Sequence, residues 1–328
     1  MKYPKFLKDN DTIGVVAMSA GVGNYNAEFN KSLSNIEKFN FNIIETDSVR
    51  NSSYVSNTGE VRAKELNFLI ENKDVDLIMC ACGGDFGIEM MPHVNDNLIK
   101  KNIKWYSGAS DPTSFLYYVT TKFDIATLYG FNAGSFDNDE LHQSQTNFLD
   151  IVKGNIPIQT SYDLYESDKS KRDKSYALDT KVEWKSNYDE VEFSGRLIGG
   201  CIDVLREIIG TSYDYTKEFL DRYKDEGIVW YFDNFALGKE DFYRTLFQMK
   251  NCGWFNNTVG VIVGRVMYPS GFIEDFEYVD GLKKVFGDIP FIYDADVGHV
   301  CPKMTMINGS EVIVKYKDNE GSIEFNLE

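Results

Sequence analysis

Over its first 110 residues the chain alternates short β-branched runs with segments of helical period, and nothing else in the sequence restricts the fold so strongly. The run 12–17 reads as a buried strand, followed by a helical pattern over 27–39, a second strand at 41–45 and a second helix over 60–71. A third strand, 75–80, runs into Cys82-Gly83-Gly84, and a fourth spans 103–107. Strand, helix, strand at this spacing predicts right-handed βαβ units and a parallel sheet.

From about 156 to 190 the periodicity fades into a stretch rich in Ser, Asp, Lys and Tyr. It reads as a partly exposed crossover, with room for a few edge strands. Order resumes with Gly195-Arg196-Leu197-Ile198-Gly199-Gly200 leading into a helix over 202–209. Strands follow at 228–232, 259–263 and 289–293, a helix at 240–250, and 312–316 suits a closing hairpin. The expected division is an N-terminal α/β domain (1–155), a crossover (156–190) and a C-terminal domain (191–328), in accord with a length of 328 residues.

Composition narrows the function classes. Apolar residues at 43% and charged residues at 26% describe a folded chain rather than a disordered one. The net charge of −17 repels phosphates and anionic lipid, so no nucleic-acid or membrane partner is expected. No stretch approaches the ~20 apolar residues that cross a bilayer, and no apolar run follows the N-terminus, so a cytoplasmic location is expected. Five scattered cysteines (80, 82, 201, 252 and 301) read as reduced core thiols.

The segment with most chemical content is Tyr106-Ser107-Gly108-Ala109-Ser110-Asp111-Pro112-Thr113. A serine on a sharp strand-to-helix turn projects its hydroxyl where a base can reach it. The helix start beyond it offers N–H groups to developing negative charge. The same residues also fit an ordinary helix cap formed by Ser110 or Asp111. Cys82-Gly83-Gly84-Asp85-Phe86-Gly87 likewise follows a strand, and its glycines suit an oxyanion site or a phosphate cradle. It lacks the lysine of a P-loop and the spacing of a dinucleotide fingerprint.

Of three histidines, His93 and His142 sit in polar surroundings and read as surface residues. His299, in Asp296-Val297-Gly298-His299-Val300-Cys301-Pro302, lies just past a buried strand and is the best candidate base. Asp233, ending the strand 228–232, either orients that imidazole or caps the next helix, with Glu240 as a fallback acid. No dense set of metal-ligand spacing is present, so neither metal nor cofactor is expected.

Taken in order, these segments resemble the LD-carboxypeptidase and microcin C immunity peptidase family. The resemblance rests on Asp11 to Ala17 with Ser19-Ala20-Gly21, on Gly83-Gly84-Asp85-Phe86-Gly87, and on Gly108-Ala109-Ser110-Asp111-Pro112-Thr113. It continues through Gly195 to Gly200 with Gly210-Thr211, and ends at Gly298-His299-Val300-Cys301-Pro302. It implies a flavodoxin-like parallel-sheet N-terminal domain and a smaller β-rich α/β C-terminal domain. It also implies Ser110 as nucleophile, His299 as general base, Asp233 as the third member, the amides of Gly84 and Asp111 as oxyanion hole, and substrate contacts at Gly83 and Asp85. A serine carboxypeptidase acting on murein tetrapeptides follows, or a hydrolase of peptidyl- or aminoacyl-nucleotides, or a binding module that has lost catalysis. A homodimer is also implied. Two positions depart from the family pattern: Asp233 stands where the family has glutamate, and Cys201-Ile202 where it often has asparagine.

Overall fold

The protein is described from a computed structural model covering residues 1–327. The chain forms two compact units, Met1–Pro157 with Asp168–Ala177, and Ile158–Ser167 with the chain from Leu178 onward.

In the first unit five strands, β1 (Thr12–Val16), β2 (Asn42–Glu45), β3 (Leu77–Cys80), β4 (Trp105–Gly108) and β5 (Thr127–Tyr129), lie side by side in the order β2-β1-β3-β4-β5. Every pairing among them is parallel. This is the flavodoxin-like order, in which ligands bind beyond the carboxyl ends of the strands where the order reverses, here between β1 and β3. Because helices cover both faces of such a sheet, its inner strands are apolar rather than alternating; Ile13, Val15 and Val16 of β1 and all of β3 are accordingly buried.

The crossovers are α1 (Asn26–Glu37), α2 (Gly59–Glu71), α3 (Asp96–Lys101) and α4 (Thr113–Phe123), with α5 (Gln143–Val152) following β5. The start of α2 is set by Thr58, whose hydroxyl accepts the Val61 N–H at 3.3 Å. Its inward face carries Ala63, Leu66, Leu69 and Ile70 at helical spacing, and with them Arg62. His142, expected on the surface, is half-buried instead. Its Nδ1 accepts the Ser144 N–H at 3.1 Å at the start of α5, while Gln145 accepts the His142 N–H at 2.8 Å. A capping role of this kind depends on which helix turn the residue ends up beginning, and polar neighbours conceal it.

The second unit is built on β6 (Glu190–Cys201), β7 (Ile228–Asp233), β8 (Thr258–Gly264) and β9 (Phe291–Ala295), which are mutually parallel. Helices α6 (Ile202–Ile208), α7 (Thr216–Arg222), α8 (Lys239–Asn251) and α9 (Tyr278–Phe286) lie between these strands in the chain. The glycine-rich run from Gly195 forms the second half of β6 and leads directly into α6, as expected. The first half of β6 pairs antiparallel with β10 (Glu311–Lys317), which turns into β11 (Glu320–Asn326). The two turn residues, Asp318 and Asn319, both have positive φ, the geometry of a tight hairpin.

The stretch read as a crossover holds four two-residue strands. Gln159–Thr160 extends the sheet beside β11, Lys185–Ser186 pairs with β9, and Leu164–Tyr165 pairs with Thr180–Lys181. The architecture is the expected α/β class, a parallel-sheet first unit and a β-rich second one. Among the described residues no helix is long and apolar enough to cross a membrane.

Candidate active site

In the first unit the site grows from the turn between β4 and α4. Ser110 has φ of 69°, a left-handed conformation that costs a non-glycine residue roughly 1–3 kcal/mol. Hydrogen bonds on either side of it hold that conformation. The Ala109 N–H donates to Asn132 Oδ1 at 2.9 Å and Asn132 Nδ2 donates back to the Ala109 carbonyl at 3.3 Å. The Ser110 N–H donates to the Tyr129 hydroxyl at 3.1 Å, and the Ser110 carbonyl accepts the Thr113 N–H at 2.9 Å. The side chain of Ser110 stays half-buried. This is the geometry of a nucleophile elbow.

The Gly83–Gly87 turn after β3 lies directly against this serine. A Cβ on Gly83 would stand 3.0 Å from Ser110 Cβ and 3.2 Å from Ser110 Oγ. Among the described residues the N–H groups of Gly84 and Asp111 donate to no acceptor. Asp85, on the same turn, is exposed.

The Asp111 side chain is buried and points away from solvent, accepting the Gly87 N–H at 2.6 Å. Its carboxyl is held above its ordinary range by burial; hydrogen bonds from Ser19 and Gly87 and the charge of Arg62 oppose this, and Asp85 adds to it. Ser19 also accepts the Phe86 N–H at 3.0 Å. The Cys82 thiol, next to the turn, is pushed up to about 11 by burial and is therefore inert at neutral pH.

In the second unit β7 ends at Asp233 and β9 runs into the loop carrying His299. His299 Nδ1 stands 2.9 Å from Asp233 Oδ1 and 2.8 Å from Oδ2. Asp233 is fully buried, and the His299 side chain is 17% exposed. With Nδ1–H held by the carboxylate, the ring's lone pair lies on Nε2. Gly298 makes the contact possible, because its φ is 109° and a Cβ there would fall 2.2 Å from Asp233 Oδ1. Phe235 packs on the imidazole with ring centres 4.6 Å apart. The Phe235 and Ala236 N–H groups are in turn held by Asp203, at 2.9 and 3.0 Å.

The base of the His299 loop is anchored by Asp296. This buried carboxylate receives Arg265 Nη1 at 2.6 Å, Trp184 Nε1 at 2.9 Å and the Tyr162 N–H at 3.0 Å. Cys201 is the strand partner of Asp233, and burial, with Asp233 and Asp203 nearby, pushes its thiol well above the usual range. Glu240 is turned elsewhere, accepting the N–H groups of Phe272 and Ile273 at 3.0 and 2.8 Å. Cys80, Cys201 and Cys301 are buried, Cys82 is half-buried, and Cys252 is exposed, a departure from the expected core position.

The structure thus gathers Ser110, Asp111, Gly83 and Gly84 in one unit, and Asp233 and His299 in the other. It adds Ser19, Arg62, Tyr129, Asn132, Phe235, Asp203 and Asp296, none of which stood out as functional in the sequence. Their partners lie tens of residues away, so no local spacing marks them.

Comparison with known proteins identifies the family and the fold. The family model described as the LD-carboxypeptidase N-terminal domain matches residues 13–130, and that of the C-terminal domain matches residues 194–314. A Vibrio cholerae protein named as a carboxypeptidase is 24% identical over 341 residues, covering 99% of this chain and 98% of its own. The microcin C7 self-immunity protein MccF of Escherichia coli is 24% identical over 281 residues, 82% of this chain and 80% of its own. A solved structure of MccF in complex with aspartyl sulfamoyl adenosine superposes with a TM-score of 0.82 at 20% identity, covering 98% of this chain and 97% of that one. With family models over both halves of the sequence, the chain belongs to the LD-carboxypeptidase family of peptidases.

Proposed function

We propose that the protein is a serine-type carboxypeptidase that hydrolyses an amide bond in a small peptide, with murein tetrapeptides as the first substrate class. Ser110 Oγ attacks the amide carbonyl while His299 takes its proton through Nε2, and Asp233 holds the imidazole in that tautomer. The amides of Gly84 and Asp111 receive the oxyanion, and Gly83 and Asp85 face the substrate. His299 then passes the proton to the leaving amine, and water releases the acyl group. The proposal extends to wall-peptide recycling and to a homodimer, which rest on the family resemblance, and to a cytoplasmic location, which rests on the sequence.

The observation that carries this reading is the contact of a buried carboxylate with His299 Nδ1, at 2.8–2.9 Å. A histidine serving only as packing has no need of a buried charge on one ring nitrogen. The test is hydrolysis of L-Ala-γ-D-Glu-L-Lys-D-Ala, or its diaminopimelate form, by wild type and Ser110→Ala. Release of D-alanine by wild type alone is expected. Equal release by both proteins would remove Ser110 from the mechanism.

One observation favours a second substrate class: MccF, which shares this fold, is a self-immunity protein solved with an aspartyl sulfamoyl nucleoside. If no D-alanine is released, an aminoacyl- or peptidyl-nucleotide is the substrate to try with the same residues. If that too is left intact, the fold serves as a binding module.

A further inference from the structure

Arg62 is completely buried on α2, where its two terminal guanidinium nitrogens find partners and its Nε finds none among the described residues. Nη1 donates to the Met18 carbonyl at 2.7 Å and the Phe86 carbonyl at 2.9 Å, and Nη2 donates to Glu89 at 2.9 Å. Met18 follows β1 and Phe86 lies in the turn after β3, so the guanidinium spans the point where the strand order reverses. Burying an arginine is costly unless its donors are used and its charge is answered. Only one partner here carries charge, and Glu89 is 54% exposed. Fold stability alone would be served as well by an apolar side chain of similar volume.

We propose that Arg62 is a positioning residue for the reaction at Ser110, fixing the Gly83–Gly87 turn together with Ser19 and the Asp111 side chain. The turn is held at three consecutive backbone groups: the Phe86 carbonyl by Arg62, the Phe86 N–H by Ser19, and the Gly87 N–H by Asp111. Asp111 therefore acts twice. Its backbone N–H belongs to the oxyanion site, and its carboxylate ties the opposite wall of that site to the same residue. Preorganised donors stabilise a transition state only while their spacing is fixed, and a misplacement of about 1 Å can cost ~10²-fold in rate.

The charge of Arg62 has a second effect. Asp111 is electrostatically coupled to Arg62, Asp85 and the Cys80 thiol, and Arg62 is also paired with Glu89. Of these groups Arg62 is the cation that favours the ionised carboxylate. Its removal moves the protonation of Asp111 to higher pH, and a protonated carboxyl accepts the Gly87 N–H less well.

This inference rests on Ser110 being the nucleophile, and one experiment separates the two. The full chain is treated with a fluorophosphonate probe, and the maximal labelling rate and half-saturating probe concentration are measured from about pH 5 to about pH 9. Wild type, Arg62→Met, Arg62→Lys and Ser19→Ala are compared, with thermal melts confirming folding. Arg62→Met is expected to lower the maximal rate roughly tenfold to a hundredfold at unchanged half-saturation, and to move the acid limb to higher pH. Arg62→Lys, which keeps the charge but loses the planar fork, is expected to restore the acid limb and only part of the rate. Ser19→Ala removes one hydroxyl and no charge, and is expected to slow labelling even if Arg62→Met does not fold. Wild-type rates and acid limbs in the folded variants would overturn the positioning role while leaving Ser110 in place. Absence of labelling in wild type would overturn both.

Discussion

At the scale of single residues, Asp233 shows how a shorter side chain reaches the same partner. By the family resemblance, glutamate, one methylene longer, is expected at this position. Its carboxylate still meets His299 Nδ1 because the loop backbone comes close at Gly298, where a side chain would strike Asp233 Oδ1. The contact of Asp233 with His299 is therefore secured by a glycine 65 residues away in sequence, which no reading of residues 228–234 could reveal. Asp233→Asn keeps the shape but gives the imidazole an amide to orient on, favouring the wrong tautomer. We expect a loss of ~10⁴ in turnover with a melting temperature close to wild type, measured as D-alanine release alongside a thermal scan. Retention of most of the activity would remove Asp233 from the mechanism. Ser110 and His299 were legible as candidates because strand-end serines and histidines among glycines are local patterns. Ser19 and Arg62 were not, since their roles are defined by contacts with Phe86.

At the scale of elements, β1 to β4 with α1 and α2 were readable from periodicity, with ends shifted by one or two residues, while α3, β5 and α5 were not read. The turns carry finer information. The Gly83–Gly87 turn approaches Ser110 so closely that Gly83→Ala would place a methyl 3.2 Å from Ser110 Oγ. The expected result is a fall of about tenfold or more in fluorophosphonate labelling with little change in melting temperature. An unchanged labelling rate would show that the turn yields without disturbing the serine. The glycine run 195–200 leads into a helix as expected, and the run itself is strand. Glycine weakens a strand in isolation, yet Arg196 to Cys201 pair in register with Ile228 to Asp233 in the interior of the sheet. Pairing with β7 supplies the order that local propensity withholds.

At the scale of the whole molecule, the excess of 51 acidic over 34 basic residues places a net charge of −17 on the chain. Self-repulsion opposes compaction, and salt relieves it. Raising sodium chloride from ~20 to ~200 mM is expected to raise the melting temperature by a few degrees; a fall would mean that the surface ion pairs outweigh the repulsion. By itself the sequence determined the α/β class, the alternation of elements, the family and the candidate identities of Ser110, His299, Asp233, Gly84 and Asp111. These follow from hydrophobic period, turn chemistry and short motifs, which are properties of neighbours in the chain. Only the tertiary structure decided that Asp233 meets His299, that Glu240 caps other amides, and that Arg62 grips the turn beside Ser110. Each of these depends on a hydrogen bond between residues that only the fold brings together, and hydrogen bonds are decided by tenths of an ångström and by direction.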